Sequence, residues 1–336
     1  MSLRTYFRLL AHAQLLPVLE SGEETTLVGG QAVLEGVMMR APHSYCVAVR
    51  KANGEIVTEQ QPLARMADKY KIFKYPIFRG LGTIGQAMSL GMKVLRFSGD
   101  VSLEDEKNEA ETRQDGKQDG KPKEVPEWAQ WANIIFSLGF FIFTSKYLPL
   151  YFTTRLKGVY PALGGGILFN LVEGLIRISI LVLLMFGLSL MKDIRRVFEF
   201  HGAEHKVVFN FESGQPVTVE NAQRFSTFHP RCGTSFLFVI IIVSVAFYTF
   251  IPYQGFVAKL LCRIALLPLI AGTSYELIRF AAKRRGSALA TLTAPGLWLQ
   301  RITTKPPADD QTAVAIRALE GAMALEEQQG GQLVIA

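Results

Sequence analysis

Cysteine is scarce in this chain. Three are spread over 336 residues, Cys46, Cys232 and Cys262. That is too few and too scattered for a disulfide framework and excludes the small stapled secreted scaffolds. Charge is thin as well: Asp, Glu, Lys and Arg make up 19% of the residues against 49% hydrophobic, and mean hydropathy is +0.22. This balance excludes a largely disordered chain and is oily for a water-soluble one. A cleavable leader is not expected either. The first twenty residues hold Arg4, Arg8 and a leucine-rich patch, but His12, Gln14 and Pro17 interrupt the apolar core and no small-residue cleavage site follows. Residues 1–26 read instead as an amphipathic, surface-lying segment. Histidine is rare, with five in all, so any clustering of them carries information.

What the chain does have is long apolar runs. Residues 134–153, 163–191, 236–252 and 256–281 each approach or exceed the ~20 residues that a bilayer span needs. Four spans are expected. The amphipathic, glycine-bearing stretch 77–97 is expected to lie on the membrane or re-enter it. Lys and Arg are distributed unevenly: 12 in residues 1–98, only Arg155 and Lys157 between the first two spans, 6 in residues 192–232, few between the last two spans, and 7 from residue 279 onward. By the positive-inside rule both termini and the 192–232 loop face the cytoplasm.

Ahead of the spans, "CVAVRKANGEIVTE" alternates around Asn53-Gly54, the strongest short hairpin signal. "LVGGQAVLEGVMMRAP" reads as one further strand flanked by glycines. Residues 99–127 hold almost no apolar residue and much charge, and are expected to be a disordered linker. After residue 303, Asp309 or Asp310 is placed to cap a helix with an apolar stripe of Val314, Ala318, Ala322 and Leu325, ended by Gly330 and Gly331. The expected fold is thus a polytopic α-helical membrane protein of about four transmembrane helices with a small N-terminal cytoplasmic α+β domain. Its parts are the segment 1–26, the α+β domain and membrane-associated helix 27–98, the linker 99–127, the membrane domain 128–302 and a cytoplasmic C-terminal helix 303–336.

The chemistry concentrates in the 192–232 loop. In "FEFHGAEHKVVFNF" His201 and His205 stand four apart, on one helix face, a spacing that lets two imidazoles share one metal. His229 and Cys232 follow in "FHPRCGTS". Two close pairs joined by a longer loop is the arithmetic of a zinc site, and three imidazoles with one thiolate suit a divalent metal, zinc before others. With all four bound the site is closed and structural; with three, a fourth position stays open and the site is built for catalysis. His-Gly-Ala-Glu-His also reads as H-x-x-E-H, in which Glu204 is the general base, and Arg231 is placed to steady an anion. Sites of that kind take a further carboxylate; Glu212, Glu220 and Glu276 are available. The plain alternative is structural polar packing at a membrane edge.

Two other features stand out. Glu173 and Arg177 are four apart inside an apolar span, where a charge costs about 2.5–3.5 kcal/mol on insertion scales; together they imply a polar interior. Residues 65–81 interleave Lys69, Lys71, Lys74 and Arg79 with aromatics, which next to a membrane favours anionic lipid headgroups over nucleic acid. Homo-oligomerisation is compatible with this composition and no other partner is implied.

The strings "GGQAVLEGVMMRAP", "YPIFRGL", "FHGAEHKVV", "TVENAQRFSTFHPRCGTSFLF", "GTSYELIRFAAK" and "APGLWLQRITTKPPADDQTAVAIRAL" together resemble the YqhQ-like family of bacterial membrane proteins of unknown function. The resemblance implies an inner-membrane, multi-pass architecture. The family carries the label of a metal-dependent enzyme, which implies a site at His201, Glu204, His205, His229, Arg231 and Cys232; the signature containing Gln31, Glu35, Gly36 and Arg40 has no assigned role. The leading reading is a metal-dependent hydrolase. The second is a non-enzymatic membrane scaffold or biogenesis factor with a structural zinc, and the third a transporter using Glu173 and Arg177.

Overall fold

The stretch expected as one glycine-flanked strand is two. In the computed structural model, which describes residues 28–64, 70–113, 127–229, 232–251, 255–283 and 294–328, β1 (Gly29–Val33) and β2 (Gly36–Arg40) pair antiparallel across Leu34 and Glu35. Glu35 takes the left-handed φ of 50° that so short a turn requires. β3 (Ser44–Arg50) and β4 (Ile56–Pro62) follow as the expected hairpin. At its tip Gly54 has φ 89° and the Asn53 side chain accepts from Glu55 N–H at 2.9 Å. The sheet is a simple meander, β1-β2-β3-β4.

Side chains alternate across this sheet, and both faces are buried. On one face Val33, Met38, Tyr45, Val47 and Val49 pack under Leu90, Val94 and Val101 of α1 (Phe78–Arg113). The 77–97 stretch thus spends part of its apolar side on the sheet. The same helix runs on over residues 99–113, the first half of the expected linker. Its Glu, Lys and Ala content is helix-forming even without an apolar face; residues 114–126 lie outside the described residues.

The other face of the sheet, Val37, Met39, Cys46 and Ala48, meets helices from much later in the chain. The order after α1 is α2 (Glu127–Ile142), a π turn (Phe143–Tyr147), α3 (Leu148–Val159), α4 (Gly166–Ser189), α5 (Lys192–Glu212), α6 (Val219–Gln223), α7 (Gly233–Thr249), α8 (Phe256–Ala265), α9 (Leu267–Lys283), α10 (Ala294–Thr303) and α11 (Asp309–Gln328). Phe200, Ala203 and Val207 of α5 and Val314, Ala318 and Ala322 of α11 complete that core. Small residues set the separation: a Cβ on Gly321 would stand 2.6 Å from Cys46 Sγ. Burial pushes the Cys46 thiol up to about 12, with the Arg317 charge opposing it only in part, so this cysteine packs as an apolar group. Asp309 and Asp310 lie in the first turn of α11, where they offset its positive end. The Ala308 N–H is taken by Gln311 Oε1 at 2.9 Å. Gly330 and Gly331, like residues 1–27, lie outside the described residues.

The helical remainder is apolar and largely outward-facing. Two helices, Ile135–Val159 and Gly166–Ser189, are long and apolar enough to cross a membrane, yet only 17% of the most apolar window of each is buried against the protein. Large apolar side chains turned outward over that length seek lipid. The bent pair Phe256–Ala265 and Leu267–Phe280, 49° apart, makes a third candidate if counted as one span. The stretch expected as a clean third span is a shorter apolar helix, Phe236–Thr249. Among the described residues there are therefore two to three candidate spans by length and composition where the sequence suggested four, because α7 ends at Thr249 and the last apolar run is broken at Leu266.

Glu326 locks α11 to the sheet. It accepts from His43 N–H at 2.9 Å and Ser44 Oγ at 2.9 Å, and lies 2.8 Å from His43 Nδ1. Burial alone would raise its carboxyl, but the hydrogen bonds from His43 and Ser44 outweigh it and hold it below the usual carboxylate range. A carboxyl depressed by folding stabilises above its unfolded range, and that stability is lost as pH falls through its folded range. Glu326→Gln should lower unfolding free energy by about 1–3 kcal/mol, and the difference from wild type in denaturant melts should shrink as pH falls below about 4.

Candidate functional site

α5 presents two faces. Phe200, Ala203 and Val207 go into the sheet core, while His201, Glu204 and His205 turn toward a cleft of about 370 Å³. The i, i+4 spacing brings the two imidazoles edge to face, with centroids 4.4 Å apart. Glycine allows the close packing. A Cβ on Gly30 would come within 2.6 Å of Glu204 Cγ and 2.7 Å of Met38 O, so β1 lies directly on the site. A Cβ on Gly202 would collide with the Lys305 carbonyl.

Each imidazole is oriented by a backbone carbonyl. His201 Nδ1 is 2.8 Å from Thr303 O, and His205 Nδ1 is 2.5 Å from Thr227 O. A carbonyl accepts only, so each Nδ1 carries a proton and each Nε2 is the nitrogen turned to the cleft side. There His201 Nε2 is 3.3 Å from Cys232 Sγ. One ligand atom from each of His201, His205 and Cys232 falls within 4.8 Å of the others. Cys232 is the residue before α7, so its position is set by the start of that helix. Glu204 is buried, its Oε2 3.4 Å from His205 Nε2.

His229, expected as a fourth member, stands one step away. Its ring is 5.6 Å from that of His205 and 4.5 Å from Phe209, and its Nε2 is 3.6 Å from Glu212 Oε2. Glu212 is thus the carboxylate of the three sequence candidates that reaches this region. Glu220 pairs with Arg224 at the surface, and Glu276 pairs with Arg79. Arg231 lies outside the described residues. Burial lowers the proton affinity of His205, hydrogen bonding to Cys232 opposing it. Burial likewise pushes His229 down to about 4 against the pull of Glu204. Both rings are neutral at pH 7.

The structure brings in residues that carry no motif. Gln300 of α10 grips the His229 peptide unit from both sides: His229 N–H donates to Gln300 Oε1 at 2.8 Å, and Gln300 Nε2 donates to His229 O at 2.8 Å. Thr303 closes the same helix, and Lys305 N–H donates to Phe198 O at 2.9 Å, tying the segment back to α5. Lys206 donates to the carbonyls of Gln223 and Phe225 at 2.6 and 2.8 Å and so holds the strand of loop that carries Thr227. In the sequence, Gln300 is simply one polar residue of "APGLWLQRIT", with nothing to mark it.

This geometry spans residues 198–305, inside the 75–325 segment matched by the family model described as "Protein of unknown function (DUF1385)". The chain belongs to the DUF1385 family. It is also 34% identical over 300 residues, 89% of this chain and 92% of the other, to "Uncharacterized protein YqhQ" of Bacillus subtilis (strain 168). No solved structure matches it. The DUF1385 model begins after the sheet, so β1 and its Gly29-Gly30 pair reach the site from outside the matched segment.

Gln300→Leu removes both bonds to the His229 peptide; its N–H loses the Gln300 acceptor, and its C=O keeps the Cys232 N–H at 3.3 Å. Unfolding free energy should fall by about 2–4 kcal/mol, read by denaturant melts in detergent. A loss within error of zero would mean that α10 does not hold this loop.

Proposed function

We propose that this DUF1385 protein is a metal-dependent hydrolase embedded in the bacterial inner membrane, with both termini and its site on the cytoplasmic side. The supporting observation is the pair of Nδ1 contacts to Thr303 O and Thr227 O. Metal-binding histidines almost always hydrogen-bond a backbone carbonyl or carboxylate through the other ring nitrogen. Two imidazoles and a thiol are also a borderline-soft donor set that suits zinc. Donors around a tetrahedral zinc lie about 3.5 Å apart; the 3.3 Å between His201 Nε2 and Cys232 Sγ meets this, and the full set, within 4.8 Å, is slightly more open.

His201, His205 and Cys232 would hold the ion, which when bound supplies an activated water and a Lewis acid. With His229 turned toward Glu212, three protein donors leave a fourth position toward the cleft, the open arrangement of catalytic sites. Glu204, buried beside His205, is the general base, taking the proton from the attacking water. Arg231 steadies developing negative charge. The substrate, lipid-like or peptide, arrives from the bilayer edge. Tyr70, Ile72 and Tyr75, exposed near Lys71 and Lys74, meet anionic headgroups there.

A second reading has one observation in its favour. The three donors and their two carbonyl supports come from three separate stretches of chain, α5, the segment from Thr227 to Cys232 and the end of α10, so an ion there would also pin them, as in a scaffold with structural zinc.

The experiment is elemental analysis of the purified full-length protein beside its activity on pooled peptide and lipid-ester substrates. The hydrolase should carry about one zinc per chain and release products, and Glu204→Gln should keep the metal while slowing turnover about 10²–10⁴-fold. Metal without hydrolysis leaves the scaffold; absence of metal sinks both readings.

A further inference from the structure

A second polar cluster lies among the apolar helices, and its charges do not balance. On α4, Arg177 Nη2 donates to Glu173 Oε1 at 2.6 Å, and Arg177 Nη1 donates to Ser244 Oγ of α7 at 2.5 Å. Arg263 of α8 pairs with the second oxygen of Glu173 and donates to Asn170 Oδ1 at 2.9 Å. Lys146, on the π turn, donates to the Tyr248 hydroxyl at 3.1 Å. All three cations gather on the Tyr248 ring, with Arg263, Arg177 and Lys146 at 4.8, 5.5 and 5.6 Å from its centroid.

Exposure is 1% for Glu173, 5% for Arg177, and 3% for both Arg263 and Lys146. One carboxylate therefore faces two guanidiniums and an ammonium in a nearly dry interior. A guanidinium does not shed its proton, so even with Lys146 neutral one positive charge is left over. A buried charge without a counter-charge is strongly destabilising. Two of the arginine donors, Arg177 Nε and Arg263 Nη1, are buried and find no acceptor among the described residues.

The backbone is irregular on both sides of the cluster. The π turn at Phe143–Tyr147 carries Lys146 inward, and the 49° bend between α8 and α9 falls just after Arg263. Such irregularities at bilayer depth are tolerated where they line a site.

We propose that this cluster is an oxyanion site of the phosphoryl class. The missing negative charge comes from a phosphate group held by the spare arginine donors and by Lys146. Arginine forks match the geometry of phosphate oxygens. The group arrives on a lipid headgroup from the bilayer or as free phosphate. Phe250, Val257 and Leu261, at 85%, 65% and 61% exposure on the neighbouring segments, offer a lipid-compatible flank. The site is separate from the His-Cys cluster and holds whether or not that cluster binds metal.

Full-length protein exchanged into phosphate-free neutral detergent is to be melted with inorganic phosphate, phosphatidylglycerol or phosphatidylcholine. A ligand that binds only the folded state raises the midpoint with concentration. A rise with phosphatidylglycerol alone assigns the headgroup; a rise with inorganic phosphate as well assigns the free anion. Arg263→Gln should weaken the apparent affinity about 30-fold or more. If Arg263→Gln fails to fold, the three wild-type titrations still decide. No rise with either phosphoryl ligand overturns the proposal, as does an equal rise with phosphatidylcholine or a rise that Arg263→Gln leaves unchanged.

Discussion

Two backbone carbonyls, Thr227 O and Thr303 O, orient the imidazoles of the candidate site. Each accepts from the Nδ1 of one imidazole, His205 and His201, and by doing so assigns the proton and aims the opposite nitrogen. Without those acceptors neither ring has a fixed orientation. With them each Nε2 turns toward one thiol. The carbonyls are therefore what the surrounding architecture has to hold still, and most of its unusual contacts serve that end. Lys206 grips the loop before Thr227, Gln300 grips the peptide of His229, and the Lys305 N–H pins the segment after Thr303 to Phe198.

The sheet supplies the rigid floor. Buried on both faces, it is clamped by α1 on one side and by α5 and α11 on the other. The helix that carries His201 and His205 is thus a layer of this core, with Phe200 and Ala203 fully buried one or two residues from the site. This explains why β1 needs glycine where it crosses Glu204, and why an N-terminal signature can matter to a site more than a hundred residues later. Glu35, at the β1–β2 turn, pairs with Arg196 near the start of α5, which gives the signature's glutamate a positioning role. The membrane-facing helices obey a different constraint. They bury few residues, and among the described residues the charged ones they do bury, Lys146, Glu173, Arg177 and Arg263, gather in one cluster.

Much of this was legible in the sequence, for physical reasons. The Asn53-Gly54 hairpin followed from turn stereochemistry, the stripe Val314, Ala318 and Ala322 from helical period, and the approach of His201 to His205 from i, i+4 spacing. The approach of Cys232 followed from zinc-like arithmetic, and the same arithmetic brought His229 to the region but says nothing about a neighbour such as Glu212, 3.6 Å from its Nε2. Gln300 and Thr303 were invisible, since one acts through an amide and the other through a backbone oxygen that any residue would offer. The second turn, at Leu34-Glu35, was missed because it lacks glycine at the left-handed position. Residues 99–113 continue the helix because Val101 still packs on the sheet and the Glu, Lys and Ala that follow are helix-forming, which a mostly polar composition does not prevent.

The most direct test of the account is X-ray absorption on the zinc-loaded full-length protein. Three donors held as described predict one sulfur at about 2.3 Å, two imidazole nitrogens at about 2.0–2.1 Å and one further light atom from solvent. A sphere with no sulfur, or with three imidazoles and a sulfur and no solvent atom, would contradict it: the first removes Cys232 and the second closes the position on which hydrolysis depends.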